Sequence, residues 1–311
     1  MNCTYGLTNV LMREGESMHR FLRTVGFSKY QKKHRINELI KELAASALPG
    51  QIRKLQLDEE TNLCEVKAEM APDMGVAIYG EMDETGEIHP EYYVPYVLSQ
   101  EPSSKAECSI QRHTNRETYA GLLDEYRVGI SLIYYLENVM EYRERKMAKE
   151  STDTEWVSLS GLSVKGKILL PIKKTAKQKE MAKVALKERT NLLEAAKNGN
   201  EEAIETLTIE DIDLYSQISR RILKEDVYSI IESCFMPCGI ECDQYSVIGT
   251  IKELNVLENR LTGEEVYKMK LDCNDMIFQV AINKQDLIGE PMVGRRFKGQ
   301  IWMKGTAKFR S

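Results

Sequence analysis

From Gln244 onward, apolar residues recur at every second position of the sequence. This alternation is typical of strands that bury one face. The pair Asn274-Asp275 interrupts it as a tight turn would, and Gly299 and Gly305 stand where strands could bend sharply. The expected inward-facing residues are Tyr267, Met269, Leu271, Cys273, Met276, Phe278, Val280, Ile282, Phe297, Ile301 and Met303. Several short alternating strands of this kind predict a small closed OB-like β-barrel.

Two stretches of opposite charge precede this β-rich region. Residues 165–189 carry nine Lys/Arg and two Asp/Glu, whereas residues 199–232 carry nine Asp/Glu and three Lys/Arg. The Asn-Gly-Asn sequence at 198–200 is typical of one helix ending and the next beginning. We expect the two helices to pack side by side, and a nucleic-acid surface on the lysines is the weaker alternative. They form a predicted helical insertion at about 174–236, and a strand at 162–172 is predicted to open the barrel.

The first half of the chain mixes helices with short β-like runs. Helical spacing predicts helices over 28–48 and 127–147, the second buried against a sheet. The β-like runs are joined by short turns, which implies antiparallel pairing, and they lie at 51–57, 62–70, 75–81 and 87–97. The predicted fold class is therefore α+β, with an N-terminal antiparallel sheet and packed helices followed by the barrel. The predicted domains are 18–150 and 151–311.

The composition is that of a globular protein. The 311 residues include 43 Lys+Arg and 48 Asp+Glu, and a net charge of −5 argues against a dedicated duplex-DNA binder. Seven scattered cysteines, with no long apolar run, predict a cytoplasmic protein without a membrane span. Residues 1–17 are interpreted as a leader that is not native protein. Residues 14–17 can be encoded by codons that contain a ribosome-binding sequence just before Met18.

Motifs that would indicate a catalytic class are missing from the sequence. It contains no phosphate-binding GxxxxGK[ST], no GxGxxG, no HExxH, no GxSxG and no CxxC. The four histidines lie far apart, at His19, His34, His89 and His113. We therefore predict no catalytic residue and no cofactor, and the protein is expected to be a non-enzymatic binding or interaction protein.

Three cysteines are spaced regularly at Cys234, Cys238 and Cys242. On a continuous helix they would share one face, but Pro237 and Gly239 exclude such a helix. Their spacing also fits zinc and iron–sulfur sites poorly. We interpret them as structural cysteines and predict no metal site.

An enzymatic alternative rests on Asp58, Glu65 and Lys67. Two carboxylates followed by a lysine is the order found in metal-dependent nucleases, in which the carboxylates hold Mg²⁺ and the lysine assists the attacking water. The pattern is short enough to occur by chance in a charged protein. A metal-dependent hydrolase or nuclease is therefore kept as an alternative.

The most suggestive binding feature is the run that begins at Arg296. If its strand is regular, Arg296, Lys298, Gln300, Trp302 and Lys304 share one face. An aromatic ring among cations on a barrel face is how OB-type domains hold single-stranded nucleic acid. Arg296, Lys298, Trp302 and Lys304 are therefore candidate ligand-binding residues. The alternative, which we favour, is that Trp302 packs against the helical insertion or the first domain.

Four segments resemble an uncharacterised family of proteins of roughly 300 residues from anaerobic Gram-positive bacteria. They are MHRFLRTVGFSKY at 18–30, ISRRILKEDVYSIIESCFMPCGIECDQYS at 218–246, LTGEEVYKMKLDCND at 261–275, and INKQDLIGEPMVGRRFKGQIWMKG at 282–305. The resemblance implies a cytosolic bacterial protein of unknown function. The expected partner is another protein or single-stranded nucleic acid.

Overall fold

The computed structural model describes residues 19–56, 62–112, 118–239 and 242–310. Its first part is a four-stranded antiparallel sheet in which each strand pairs with the next along the chain. The strands are β1 (Ile52–Gln56), β2 (Asn62–Ala71), β3 (Met74–Met82) and β4 (Ile88–Val97). They match the predicted β-like runs, so the N-terminal antiparallel sheet is confirmed. Residues 1–18, which include the interpreted leader, lie outside the described residues.

A 3-10 helix (Leu22–Val25) and helix α1 (Lys33–Ala45) contact this four-stranded sheet. The buried side of α1 consists of Ile36, Leu39, Ile40, Leu43 and Ala44, at the spacing of one helical face. The prediction that the helix begins at Ser28 was wrong. The Ser28 backbone N–H and hydroxyl both donate to the carboxylate of Glu264, so Ser28 does not cap the helix.

A second sheet contains eleven strands. In chain order they are β5 (Cys108–Arg112), β6 (Tyr119–Glu125), β7 (Ile130–Leu136), β8 (Thr154–Ser163), β9 (Gly166–Leu169), β10 (Cys234–Pro237), β11 (Gln244–Glu258), β12 (Glu265–Cys273), β13 (Met276–Asn283), β14 (Leu287–Ile288) and β15 (Arg296–Phe309). Three further 3-10 helices, each of three residues, are next to strands of the two sheets, at Pro49–Gln51, Tyr126–Val128 and Lys284–Asp286. The molecule is therefore a mixed α+β protein, as predicted.

The pairings of the second sheet form a closed circuit of five strands. Strand β11 pairs with β12, β12 with β13, β13 with β8, β8 with β15, and β15 again with β11. The pairing of β13 with β8 is parallel and the other four are antiparallel. A closed OB-like barrel remains a prediction. Strands β5, β6 and β7 extend the sheet from β15, so it crosses the domain boundary predicted near residue 150.

Four α-helices follow α1. They are α2 (Val139–Met147), α3 (Ala176–Lys197), α4 (Glu201–Ile222) and the single turn α5 (Val227–Ile230). Helices α3 and α4 pack against each other as a hairpin between β9 and β10, and Asn200 caps α4 through its side-chain oxygen. Arg189 of α3 forms ion pairs with Glu210 and Asp211 of α4, at 3.6 and 2.7 Å. The opposite charges of the two helices thus meet as expected.

The predicted helix over 127–147 was wrong in its first half. Residues Ile130–Leu136 form strand β7, which pairs with β6 and β15, and only α2 is helical. Leu132, Tyr134 and Leu136 are buried while their neighbours are less so, which is the period of a strand. An apolar run of this length fits either a buried helix or a central strand, and the pairing partners on both sides decide in favour of the strand.

Candidate functional site

The predicted ligand-binding residues Arg296 and Lys298 bind other parts of the chain. The Arg296 guanidinium donates to the carbonyl oxygens of Leu170, Tyr228 and Ile231, over 2.5 to 3.0 Å. Leu170 precedes the helical hairpin and the other two follow it, so Arg296 ties both ends of the hairpin to the sheet. The Lys298 ammonium lies 4.2 Å from the ring centroid of Tyr228 and donates to its hydroxyl.

Trp302 lies between the two sheets. Its indole N–H donates to Asp243 at 2.6 Å, and its ring contacts those of Phe21 and Tyr135, with centroids 5.0 and 5.5 Å away. Only 7% of Trp302 is exposed. The indole therefore packs against Phe21 of the segment before the first sheet and against Tyr135 of β7, in the core cluster that includes the first sheet, and it does not present an open stacking surface.

Lys304 is buried beside Trp302 and forms an ion pair with Glu137. The Lys304 ammonium lies 3.0 Å from Glu137 Oε1 and also donates to the carbonyl of Pro95. Burial lowers the pKa of Lys304, and the attraction of Glu137 acts in the opposite direction. Sequence reasoning did not find Glu137, because it follows an apolar run and only the tertiary fold places it opposite a lysine. The four predicted residues therefore lie in two separate places along β15.

A buried polar cluster surrounds this ion pair. Its small cavity has a volume of about 10 Å³, which is room for one water molecule and not for a substrate. The lining residues are Lys67, Ala77, Tyr79, Val94, Tyr96, Leu98, Tyr135, Glu137 and Lys304. The cluster is thus a polar joint between the two sheets.

Two members of the predicted nuclease pattern lie in or beside this cluster. Glu65 is buried and accepts a hydrogen bond from the Tyr79 hydroxyl at 2.6 Å. The Lys67 ammonium lies 5.9 Å from the ring centroid of Tyr96. Asp58 lies outside the described residues. Both described side chains therefore have partners within the first sheet.

The cysteines of the regular series are unpaired thiols. The Cys242 thiol donates to the carbonyl of Gln244, and the Cys273 thiol donates to that of Cys234. Burial raises the pKa of Cys273 to about 12, and it also raises the pKa values of Cys234 and Cys238. High thiol pKa values disfavour the thiolate that binds metals or attacks electrophiles.

Among the residues that the structure describes, one group of three potential metal ligands is close enough to hold an ion: Asp83, Glu87 and His89. All three are exposed in the turn between β3 and β4. The Asp83 carboxylate accepts from the Thr85 hydroxyl and from His89. Both bonds lower the pKa of Asp83, and the bond between Asp83 and His89 raises the pKa of His89. The carboxylate also accepts from two backbone N–H groups of the turn, so the arrangement is explained by turn structure.

A larger cleft separates α3 from the second sheet. It has a volume of about 520 Å³, within the range of small-molecule sites. Lys174 and Glu232 form an ion pair on one side, and Lys252 lies 2.8 Å from Asp272 on the other. Each of these lysines is thus paired with a carboxylate that also lines the cleft. Lys183 lines the α3 side of the cleft. The cleft could admit a ligand, but its charges favour no particular class.

The most exposed apolar surface in this part of the molecule lies on α4. We call it the α4 stripe, and it consists of Ile204, Thr208, Ile212, Tyr215, Ser219, Ile222 and Leu223, the last following the helix end. Ile212 is 61% exposed and Tyr215 is 76% exposed. A different side of α4 buries Ala203 and Leu207. The helix therefore has a buried apolar side and an exposed one.

A comparison with protein families matches residues 22–305 to DUF3881, a domain of unknown function described from an E. rectale gene. The chain belongs to the DUF3881 family. No curated protein and no solved structure matches the chain. The resemblance to an uncharacterised family of about 300 residues is thereby confirmed, and the function is unknown at the level of the whole family.

The DUF3881 match begins at the 3-10 helix, and this helix docks on the second sheet through polar contacts. Arg23 forms an ion pair with Asp286, and the Asn259 amide donates to the carbonyl of Val25. The carboxylate of Glu264, which accepts from Ser28, also accepts from the amide of Asn283. Three of the four segments that carry the resemblance thus meet at one joint between the sheets.

Membrane crossing by a helix is not supported for this DUF3881 chain. In the described ranges, none of the helices combines the length and the apolar character that a span requires.

Proposed function

We propose that this protein is a non-enzymatic interaction protein that binds a protein partner through the α4 stripe. The observation that carries the proposal is the exposure of large apolar side chains along one side of α4, including Ile212, Tyr215 and Leu223. Fully burying one such side chain contributes about 1.5–3 kcal/mol. A contiguous apolar surface on a helix is therefore typical of a site where a partner binds.

The chemistry of the remaining candidates supports a binding role over catalysis. The ion pair of Glu137 and Lys304 lies beside a cavity with room for one water molecule, and Glu65 is bound to Tyr79. These groups have partners in the fold and little room for a substrate. A metal-dependent hydrolase is the less favoured function for this reason.

We also infer that the five-strand circuit is an OB-like barrel in a permuted strand order, with β11, β12 and β13 as its meander. OB-type domains bind oligonucleotides on the face of their second and third strands. Here the corresponding strand β13 is in contact with the 3-10 helix and with β4. Trp302 and Lys304 are likewise buried, Trp302 in the core cluster that includes the first sheet and Lys304 against the carbonyl of Pro95 in β4. Single-stranded nucleic acid is therefore a weaker candidate ligand than a protein.

We place the protein in the bacterial cytoplasm, because its described cysteines are unpaired and Cys238 is exposed. Thiols of this kind stay reduced in the cytosol.

Photo-crosslinking in the native cell tests the proposed function. A photoreactive amino acid at Tyr215 is expected to give a discrete crosslinked species that contains a second protein chain. The matched control is the same amino acid at Gln217, which is also exposed but lies about 160° around the helix. If position 215 gives no more crosslinked product than position 217, the α4 stripe is not a binding surface and the proposal is wrong.

A further inference from the structure

We propose that the partner of the α4 stripe is a second copy of this chain, bound with the two α4 helices antiparallel. This inference rests on the proposed function and specifies its partner. It follows from two features of α4: the spacing of the stripe residues and the distribution of charge along the helix.

Six of the seven stripe residues, all except Ile222, are spaced symmetrically along α4. Reading 204, 208, 212, 215, 219 and 223, the successive intervals are four, four, three, four and four residues. The series is the same in both directions about a point between residues 213 and 214. Two antiparallel copies related by a two-fold axis at this point would therefore bring stripe residues to the same levels.

The side chains at matching levels are compatible with one another. Ile212 lies opposite Tyr215 of the second copy, and Ile204 lies opposite Leu223 of the second copy. Between these apolar levels, Thr208 lies opposite Ser219 of the second copy, and their hydroxyls can form a hydrogen bond. Intervals of three and four residues are also those with which helices interlock side chains.

The charge of α4 favours the antiparallel orientation. Residues 201–213 contain six Asp/Glu and no Lys/Arg, whereas residues 214–222 contain two arginines and no acidic residue. A parallel pair would oppose the two acidic halves, while an antiparallel pair places each basic end beside an acidic half. The helix dipole explains why each helix has this polarity, but it does not explain an exposed apolar stripe.

One specific ion pair between copies follows from this arrangement. Glu205 and Arg220 lie on the same side of the stripe, and their numbers place them at nearly matching levels about the two-fold axis. Both are exposed, and neither forms a salt bridge within the described part of the chain. Arg220 of each copy is therefore expected to lie beside Glu205 of the other copy.

Sedimentation equilibrium of the purified full chain tests the inference. The wild type is expected to show reversible association from the monomer mass of 35.7 kDa to twice that mass. Ile212→Glu should raise the dimer dissociation constant by about tenfold or more, because it places a carboxylate in the apolar centre. Gln217→Glu is the matched control with the same added charge, and it should leave the dissociation constant within about threefold of the wild type.

A charge exchange tests the orientation independently. Arg220→Glu and Glu205→Arg should each weaken self-association, since each sets like charges against each other twice per dimer. An equimolar mixture of the two variants should restore it, because both ion pairs re-form in the mixed dimer. Circular dichroism should be unchanged, as both positions are exposed.

Two results would overturn the inference. One is a wild-type chain that remains monomeric at concentrations up to about 100 µM, the weak end of specific association. The other is association that Ile212→Glu leaves unchanged. A monomer that still crosslinks from position 215 to a different protein would leave the proposed function standing and refute self-association alone.

Discussion

Replacing Lys304 by Met should destabilise the protein strongly, because it leaves a carboxylate buried without its cation. Lys304 and Glu137 are 1% and 5% exposed, and their charged atoms lie 3.0 Å apart. Breaking a buried ion pair by removing one partner costs about 3–5 kcal/mol. The carbonyl of Pro95 also loses its donor in this variant. We therefore expect Lys304→Met to lower the free energy of unfolding by about 3–5 kcal/mol.

The double variant Lys304→Met/Glu137→Gln should recover much of this loss. Removing both charges of a buried ion pair costs less than removing one, because no uncompensated charge is then left in the interior. The single and double variants should therefore differ by about 2 kcal/mol or more, although the two changes involve residues in contact. Lys308→Met is the control, since Lys308 is an exposed lysine on the same strand, and it should change stability by less than about 0.5 kcal/mol.

Urea unfolding followed by tryptophan fluorescence measures these differences. The chain has two tryptophans, and Trp302 lies beside the ion pair, with the Lys304 ammonium 5.4 Å from its ring centroid. The midpoint should shift without a change in slope if the variants alter stability alone. The reasoning would be refuted if Lys304→Met cost less than about 1 kcal/mol, or if the double variant were as unstable as the single one.

Three further outcomes are expected. Arg296→Ala should lower the free energy of unfolding by about 2–3 kcal/mol and speed proteolysis at the ends of the helical hairpin, because the carbonyls that Arg296 binds lose a charged donor. An unchanged melting temperature would contradict this. Iodoacetamide should label exposed Cys238 in the folded protein but label Cys273, whose pKa burial raises to about 12, only after unfolding; equal rates would contradict the structure. Burial also raises the pKa values of Tyr96 and Tyr245 above those of the unfolded chain. The free energy of unfolding should therefore keep its full value below about pH 10 and decrease as the pH rises further, because the unfolded state then loses these protons more easily. The part of the phenolate absorbance that Tyr96→Phe and Tyr245→Phe remove should then appear only together with unfolding, and its appearance in the folded state would refute their burial.

Local sequence signals predicted much of the fold. The four strands of the first sheet were found from alternation and turn residues, and the break between α3 and α4 was found from Asn198-Gly199-Asn200. Both signals depend on residues that lie close together in the sequence. The apolar run in β7 was assigned to a helix because its periodicity does not distinguish a buried strand from a buried helix, and one of its two partner strands, β15, is distant in sequence.

The candidate binding face on β15 shows where sequence reasoning stops. The alternation of the strand correctly assigned Trp302 to one face and Ile301 and Met303 to the other. Trp302 lies in one core cluster, and Ile301 and Met303 lie together in the second. Alternation assigns side chains to a face, but it does not say what covers that face. Phe21 and Tyr135, which contact the Trp302 ring, come from distant parts of the chain. The α4 stripe is the opposite case, a face that the sequence did not show to be exposed. A helix with one buried and one exposed apolar side has the same composition as a helix that is buried on both sides.

The central claim is that the α4 stripe is covered by a protein in the native cell. Cysteine accessibility measures this directly: Ser219→Cys lies in the stripe, and Gln217→Cys lies on the other side of the same helix. In intact cells, a permeable maleimide should label position 219 at least about fivefold more slowly than position 217, whereas the rates should become similar in purified protein diluted below its association range. Equal labelling rates at the two positions in intact cells would contradict the account.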